Sequence, residues 1–328
     1  MAGWFPCGQC GGARIANATS CLAHAGTEEQ AASLKQFSEG GGLDVRGVSL
    51  SAALLQKILD AAPHNADGYP MFSAAQFSEA TFEGDARFDG ATFGSDAVFT
   101  KATFKGLAVF SKATFKGQAG FDGATFEGYA FFTGATFESD ARFGKVAFKG
   151  GEVAFKGGAD FEGATFKSLA GFGGRTFEGD ARFDGATFGG LAGFGGATFE
   201  GLAVFTRATF TGLAGFGGAT FKGLAWLGAI FQGDASFDGA TFEGDVRFGQ
   251  ASFEGDAEFR EATFKGDAGF GEVTFKGGAD FEGATFEGPA GFTKAIFRRQ
   301  ADFAVATFKG YAGFAGATWG GPTSPMSP

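Results

Sequence analysis

Three cysteines and a histidine near the start of the chain are the residues best placed to do chemistry. They are Cys7, Cys10, Cys21 and His24, a C-x2-C-x10-C-x2-H pattern that uses every cysteine and one of the two histidines of the 328-residue sequence. Within each pair, two intervening residues allow both ligand atoms to sit on one tight turn, and Gly8, Gly11 and Gly12 permit such turns. Two pairs of thiolate and imidazole donors suit a tetrahedral Zn2+. Two plainer readings stay open: free thiols, or one disulfide with an odd cysteine left over. The odd count argues against a disulfide framework. A metal held by all four side chains has no open position for water, so its expected role is structural.

No other constellation points to catalysis. His64 lies in the loop from Pro63 to Pro70 and reads as a surface residue. The region after it contains no histidine and no cysteine, and its carboxylates recur by period rather than gathering in one place. The many G-x-G fragments, such as Gly171 to Gly173, lack the following helix that a phosphate site needs. The expectation is a protein that is not an enzyme.

What could position a metal knuckle is set by the rest of the chain, and there an eleven-residue unit dominates residues 77 to 319. It reads ATFEGDARFDG from Ala80 to Gly90, then ATFGSDAVFTK and ATFKGLAVFSK. Each unit has two A-x-F triplets, so Phe82, Phe88, Phe93, Phe99, Phe104 and Phe110 fall alternately six and five apart. On an α-helix those steps scatter the rings around the axis, and the Gly and Thr content is poor for helix interiors. A straight strand fails as well, because an odd step flips the side chain to the other face. A corner between successive triplets solves both problems. Ala and Phe then point inward from a short strand, and the Gly-containing pair turns the chain.

These residues resemble the pentapeptide-repeat family, whose five-residue unit has a small residue, a variable one and a large apolar one at its centre. A-T-F-E-G matches that unit, and D-A-R-F-D-G matches it with one residue added, as in Phe-rich bacterial members. The resemblance implies an all-β fold, a right-handed four-sided parallel β-helix of 22 residues per coil and about eleven coils. At about 4.8 Å between paired strands that is a rod of roughly 50 Å. Short segments ending in C-L-A-H also precede the repeats of similar proteins, which supports reading the Cys/His segment as a module.

The expected domains are a zinc knuckle at 1–26, a helical cap at 27–71, the β-helix at 72–320 and a disordered tail at 321–328. In the cap, one helix is expected from Thr27, as N-cap, to Phe37. A second is expected over Ser49 to Ala62 with its leucines on one face, and a short strand over Leu43 to Val48. The amphipathic cap should cover the open first coil. One irregularity interrupts the repeat: Phe148, Phe155 and Phe161 are spaced seven and six apart. The expectation favours Gly150 to Lys156 bulging out as an insertion.

Composition bounds function. The chain has 26 Lys and Arg against 36 Asp and Glu, a net charge of −10, and neither a long apolar run nor a secretory leader. A cytoplasmic location without membrane contact is expected. Some members of the resembled family inhibit DNA gyrase by imitating the size and charge of duplex DNA. Here, however, residues 22 apart alternate in sign (Glu83, Lys105, Glu127, Lys149), which avoids like-charge repulsion between rungs. Direct nucleic-acid binding is not expected, and DNA mimicry is second to a scaffold or protein-interaction role. Outward threonine rows (Thr92, Thr114, Thr136) raise ice or surface binding as a third reading, against the simpler one that Thr fits a pleated surface. Partners are expected to be an unidentified protein and, by resemblance, a second copy through the C-terminal coil. Candidate contact residues are Leu107, Val109, Tyr129 and Phe131, then Leu202, Val204, Leu224 and Trp226, where positions usually Asp and Arg or Gly turn apolar on consecutive rungs.

Overall fold

The computed structural model describes residues 4–16, 18–143, the backbone of 154–155, and residues 158–321. The chain divides into two compact units, Met1–Ala159 and Asp160–Pro328. Both are built from the same coil, a four-sided parallel β-solenoid, and together they carry about eleven coils.

In the first unit the strands Thr81–Phe82, Ala86–Arg87, Thr92–Phe93 and Ala97–Val98 form the four sides of one coil. The next coil starts 22 residues later, with Thr81 opposite Thr103 and Ala86 opposite Ala108. Every strand is two residues long, and the sides alternate in hydrogen-bond direction. Thr103 N–H donates back to the Ala80 carbonyl at 2.8 Å, while Ala86 N–H donates forward to the Leu107 carbonyl at 2.7 Å. An interior coil therefore has its strand amides and carbonyls paired with the coils on both sides, as buried backbone requires.

The inward assignments hold. Ala80, Phe82, Ala86 and Phe88 are all buried, while Thr81 is half-buried and Arg87 exposed. Rings stack along the axis, as Phe77 on Phe99 (centroids 4.7 Å apart, 0° between planes) and Phe99 on Phe121 (4.8 Å, 2°). Neighbouring sides meet edge to face, as Phe99 with Phe110 at 5.4 Å and 81°. Both are favoured ring geometries.

Two kinds of corner alternate. After the Ala-x strands the chain makes a turn, Ala91 N–H to Phe88 carbonyl at 3.1 Å, whose third residue Gly90 has φ +64°. After the Thr-Phe strands the corner is held open to its neighbours by glycine of another kind. A Cβ on Gly128 would lie 2.5 Å from the Gly106 carbonyl oxygen, so this rung takes glycine, while after Thr136–Phe137 the corresponding place is taken by Ser139.

The cap is partly woven into the first coil. Leu43–Asp44 pairs with Ala75–Gln76, and Ser49–Leu50 pairs with Thr81–Phe82. Helix α2 therefore starts later than the apolar pattern suggested, at Ala52, and runs to Ala61 with Ser51 as its N-cap, its side chain accepting from Leu54 N–H at 3.2 Å. Ladder pairing to the first repeat outcompetes an extra helical turn. Helix α1 spans Thr27–Ser38, and its N-cap is Gly26, not Thr27, because Gln30 N–H already reaches the Gly26 carbonyl at 2.9 Å. Phe37 of α1 stacks on Phe72 (5.8 Å), which stacks on Phe93 (5.0 Å), so the helix extends a phenylalanine column and closes that end of the core. Leu54, Leu55 and Ile58 of α2 are buried with it.

The irregularity resolves differently from the expected bulge. Ala154–Phe155 pairs in register with Thr125–Phe126. Phe155 thus takes the ladder position 29 residues after Phe126 (155 − 126), a place the period assigns to Phe148. The extra residues precede Ala154, and Phe155 is not extruded. Residues 144–153 and 156–157, which include most of the expected insertion, lie outside the described residues, as does the tail 322–328.

The second unit repeats the plan, with Phe161 on Phe183 at 4.8 Å and Phe183 on Phe205 at 4.7 Å. One inward Ala is replaced by Arg175, which is 2% exposed and donates from Nε to the Gly173 carbonyl at 2.9 Å. One coil is a residue short. Thr209 pairs with Ile230 and Ala214 with Ala235, each 21 apart.

Charged columns follow the alternation read from the sequence. Lys105 reaches Glu83 at 2.7 Å, Lys222 reaches Glu200 at 2.8 Å and Lys309 reaches Glu287 at 2.9 Å, each one coil away. The Lys149 end of the first column lies outside the described residues.

Candidate metal centre and candidate partner surfaces

The Cys/His segment folds on two short antiparallel bridges, Pro6 with Ala13 and Arg14 with Cys21. They bring the Cys7–Cys10 turn beside the Cys21–His24 turn. The first turn closes by Gly11 N–H to the Cys7 carbonyl at 3.1 Å, with Gly11 at φ +72°, and the second by His24 N–H to the Cys21 carbonyl at 3.0 Å. The module is tied to the first coil. Ala13 N–H donates to the Arg46 carbonyl at 2.6 Å, and the Arg46 guanidinium lies over the Trp4 ring at 5.1 Å while pairing with Asp44. Gln30 of α1 donates to the Leu22 carbonyl and accepts from Lys57 of α2, linking the module to both helices.

The four predicted ligands come together. Cys10 Sγ is 3.5 Å from Cys21 Sγ, His24 Nδ1 is 3.3 Å from Cys21 Sγ and 3.7 Å from Cys7 Sγ, and all four atoms lie within 4.8 Å of one another. Bonds of about 2.3 Å to sulfur and 2.0–2.1 Å to nitrogen give a tetrahedron with edges of roughly 3.5–3.8 Å. The donor set fits a metal ion of that kind. The Gln9 amide donates to Cys7 Sγ at 3.4 Å and draws that thiol down to about 6, so a thiolate is available near neutral pH. Burial, and then Cys10 beside it, pushes Cys21 up to about 12. Packing these sulfurs so closely is unfavourable for charge unless a cation sits among them. Among the described residues this is the one such cluster of His, Cys, Asp and Glu. His64 is exposed and apart from it.

The apolar candidates form one cluster in each unit. In the first, Val109 pairs with Phe131, and Tyr129 stacks on Phe131 with ring centroids 5.8 Å apart. Tyr129 is 51% exposed, Leu107 and Phe131 are half-buried, and Val109 is buried. In the second, Val204 pairs with Trp226; Val204 is buried, Leu202 and Leu224 are half-buried, and Trp226 is 45% exposed. Both valines point outward, but the larger side chain of the next rung covers them. They support the aromatic residues and offer no contact surface of their own.

Beside Trp226 lies a feature the sequence reading missed. The corner after Leu227 has one residue fewer than its neighbours, so the left-handed position occupied by Arg207 before it and Gln250 after it is absent in this rung. The contracted corner lies at one end of a cleft of about 530 Å³ that is lined by Thr206, Trp226, Gly228, Arg247 and Gln250 and runs on past Glu272 to Lys294. Its signal was the four-residue step from Leu227 to Phe231, where five is the rule.

The class of protein defined here is a phenylalanine-cored parallel β-solenoid with a Cys3His module at its N-terminal side. A family model for pentapeptide repeats (9 copies) matches residues 71–114, 99–147, 183–228, 227–274 and 270–318. The chain belongs to the pentapeptide-repeat family. No curated protein and no solved structure matches it. Among the described residues no helix is long and apolar enough to cross a membrane.

Proposed function

We propose that this chain is a non-enzymatic interaction module, in which the solenoid is a rigid support and the zinc-bound knuckle braces its capped end. The observation that carries the reading is Trp226, nearly half exposed on a two-residue strand at the rim of a cleft. A large aromatic side chain held at the edge of a concavity is the form that binding anchors take. Tyr129 and Phe131 form the corresponding cluster of the first unit.

The test compares the full-length protein with Trp226→Ser and with Tyr129→Ser/Phe131→Ser in quantitative cross-linking and affinity capture from a lysate of its source cells. Specific partners lost with either change, at unaltered thermal stability, support the reading. Identical capture profiles overturn it. DNA mimicry is disfavoured by the Lys–Glu pairs along the columns, which break up any continuous negative stripe; inhibition of gyrase supercoiling at stoichiometric protein would reverse that ranking. A homodimer through the last coils is favoured by the exposure of Tyr311 (76%) and Val305 (68%). Sedimentation of the wild type against Tyr311→Ser tests it.

A further inference from the structure

A different side of the second unit carries a surface that neither apolar cluster includes. On the strands Ala170–Gly171, Ala192–Gly193 and Ala214–Gly215 the residue before each alanine is leucine: Leu169, Leu191 and Leu213. They stack one coil apart, and Leu191 and Leu213 are 41% and 48% exposed. The outward position beside them is glycine on all three rungs, in register as Gly171, Gly193 and Gly215. Glycines also align at 269, 291 and 313 on another side, but there the residues before the alanines are Asp267, Pro289 and Tyr311, not leucine. Nothing in the fold demands glycine at 193. Its backbone lies outside the left-handed region, and a Cβ there would meet nothing within 4 Å. The result is a leucine ridge beside a lane free of side chains at Gly193 and Gly215, with Leu169 leaning toward it at Gly171.

From the next rung onward along the same side the character reverses. The outward column continues from Gly215 through Ser236 to Glu258, Asp280 and Asp302, and the leucine column continues as Asp234 and Asp256. One cation, Arg260, stands among these carboxylates, 2.7 Å from Asp280 and 3.6 Å from Glu258. Glu258 is held above the usual carboxylate range by burial and by Asp238, so this half carries negative charge in excess of its pairing. One side of the unit is thus half bare and apolar, half acidic, with the boundary running across the stack.

We propose that this side docks a polypeptide segment of this chain's partner that is apolar over one half and basic over the other, lying along the stack. Leucine side chains spaced by about 4.8 Å and a lane without side chains admit a helix at close range, while the acidic half selects lysine or arginine by complementarity. The seven rungs from Gly171 to Asp302 span about 29 Å at that spacing, so a helix rising 1.5 Å per residue needs roughly 19–20 residues to cover both halves. This site is independent of the Trp226 cleft.

The probe is a fluorescein-labelled synthetic helix of about 20 residues, with leucine and alanine over one half and lysine over the other, titrated with full-length protein and followed by anisotropy. Saturable binding that weakens at least tenfold in Leu191→Glu/Leu213→Glu is expected. So is a loss of several-fold, with a flatter salt dependence, in Glu258→Gln/Asp302→Asn. Gly193→Arg, which puts a side chain into the lane without touching the core, should also abolish binding, and it stands as the test if the leucine changes impair folding. Trp226→Ser should bind as the wild type does; loss of binding there would place the peptide in the cleft and overturn the proposal. Equal binding of the same peptide with glutamate for lysine, no binding at millimolar protein, or preferential association of the protein with phosphatidylcholine vesicles would each overturn it too.

Discussion

The amide of Ala229 donates to the carbonyl of Leu227 at 2.8 Å, two residues back, where the equivalent amide of Ala208 reaches three back to Phe205 at 3.1 Å. That contraction sits at the end of the cleft beside Trp226. Inserting a glycine between Gly228 and Ala229 should restore the ordinary corner, narrow the cleft at that end and lower the accessibility of Trp226. Acrylamide quenching in a background lacking Trp4 and Trp319 measures this. Unchanged quenching would contradict the origin assigned to the cleft. Replacing Trp226 by Ala should cost no more than about 1 kcal/mol, because half its surface is already in water. Leu227→Ala, one residue on and fully buried, should cost about 2–5 kcal/mol.

Purified protein should contain about one zinc per chain, lost on Cys7→Ser or Cys21→Ser and on exhaustive chelation. Elemental analysis and thiol titration read the outcome. Three freely reactive thiols in metal-free protein from zinc-replete cells would rule the site out. The ladder signal in circular dichroism should survive, since the phenylalanine columns lie outside the knuckle.

Phe199 stacks between Phe177 at 4.9 Å and Phe221 at 4.7 Å. Phe199→Ala opens a cavity between two rungs and should cost about 3–5 kcal/mol. Thr198→Ala beside it, on the outward face, should cost under about 0.5 kcal/mol. Denaturant midpoints separate the two, and equal shifts would refute the inward and outward assignment.

Corner residues in the left-handed region provide a backbone test. Gly185 has φ +61° and open space around it, so Gly185→Ala should destabilise by about 1 kcal/mol through backbone conformation alone. Val305 has φ +47° and is β-branched, an unfavourable choice there. Val305→Gly should therefore raise the melting temperature.

Two glutamates should respond to pH with opposite sign. Glu83 is lowered chiefly by the hydrogen bond from Lys105, then by that from Ser49. Its contribution is present above the unfolded carboxyl value and disappears as pH falls through the lower folded value, so Glu83→Gln should destabilise at pH 7 and be neutral in acid. Glu258 is raised, first by burial and then by Asp238. Its ionisation opposes folding above the raised value, so Glu258→Gln should stabilise at pH 7 and lose that advantage below the ordinary carboxyl range. Thermal melts across pH 3 to 8 decide both.

The period alone determined which residues face inward. Steps of five and six leave no helix or flat strand able to gather the phenylalanines, so the chain had to turn a corner between triplets and stack its short strands; that four sides make a coil of 22 came from the resemblance to pentapeptide repeats. The donor set Cys7, Cys10, Cys21 and His24 was legible for the same reason, because its geometry is local to two turns. Pairing between coils is not local, and there the tertiary structure decided. Ser49 and Leu50 carry a helical pattern, yet an open edge at Thr81–Phe82 draws them into a strand. The period assigns the place opposite Phe126 to Phe148, and only ladder register puts Phe155 there instead. Val109 and Val204 point outward as their positions require, but the rings of Phe131 and Trp226 one coil away cover them. The side formed by Leu191, Gly193, Glu258 and Asp302 becomes a surface only when residues 22 apart are laid one above another, since nothing in any single repeat distinguishes it.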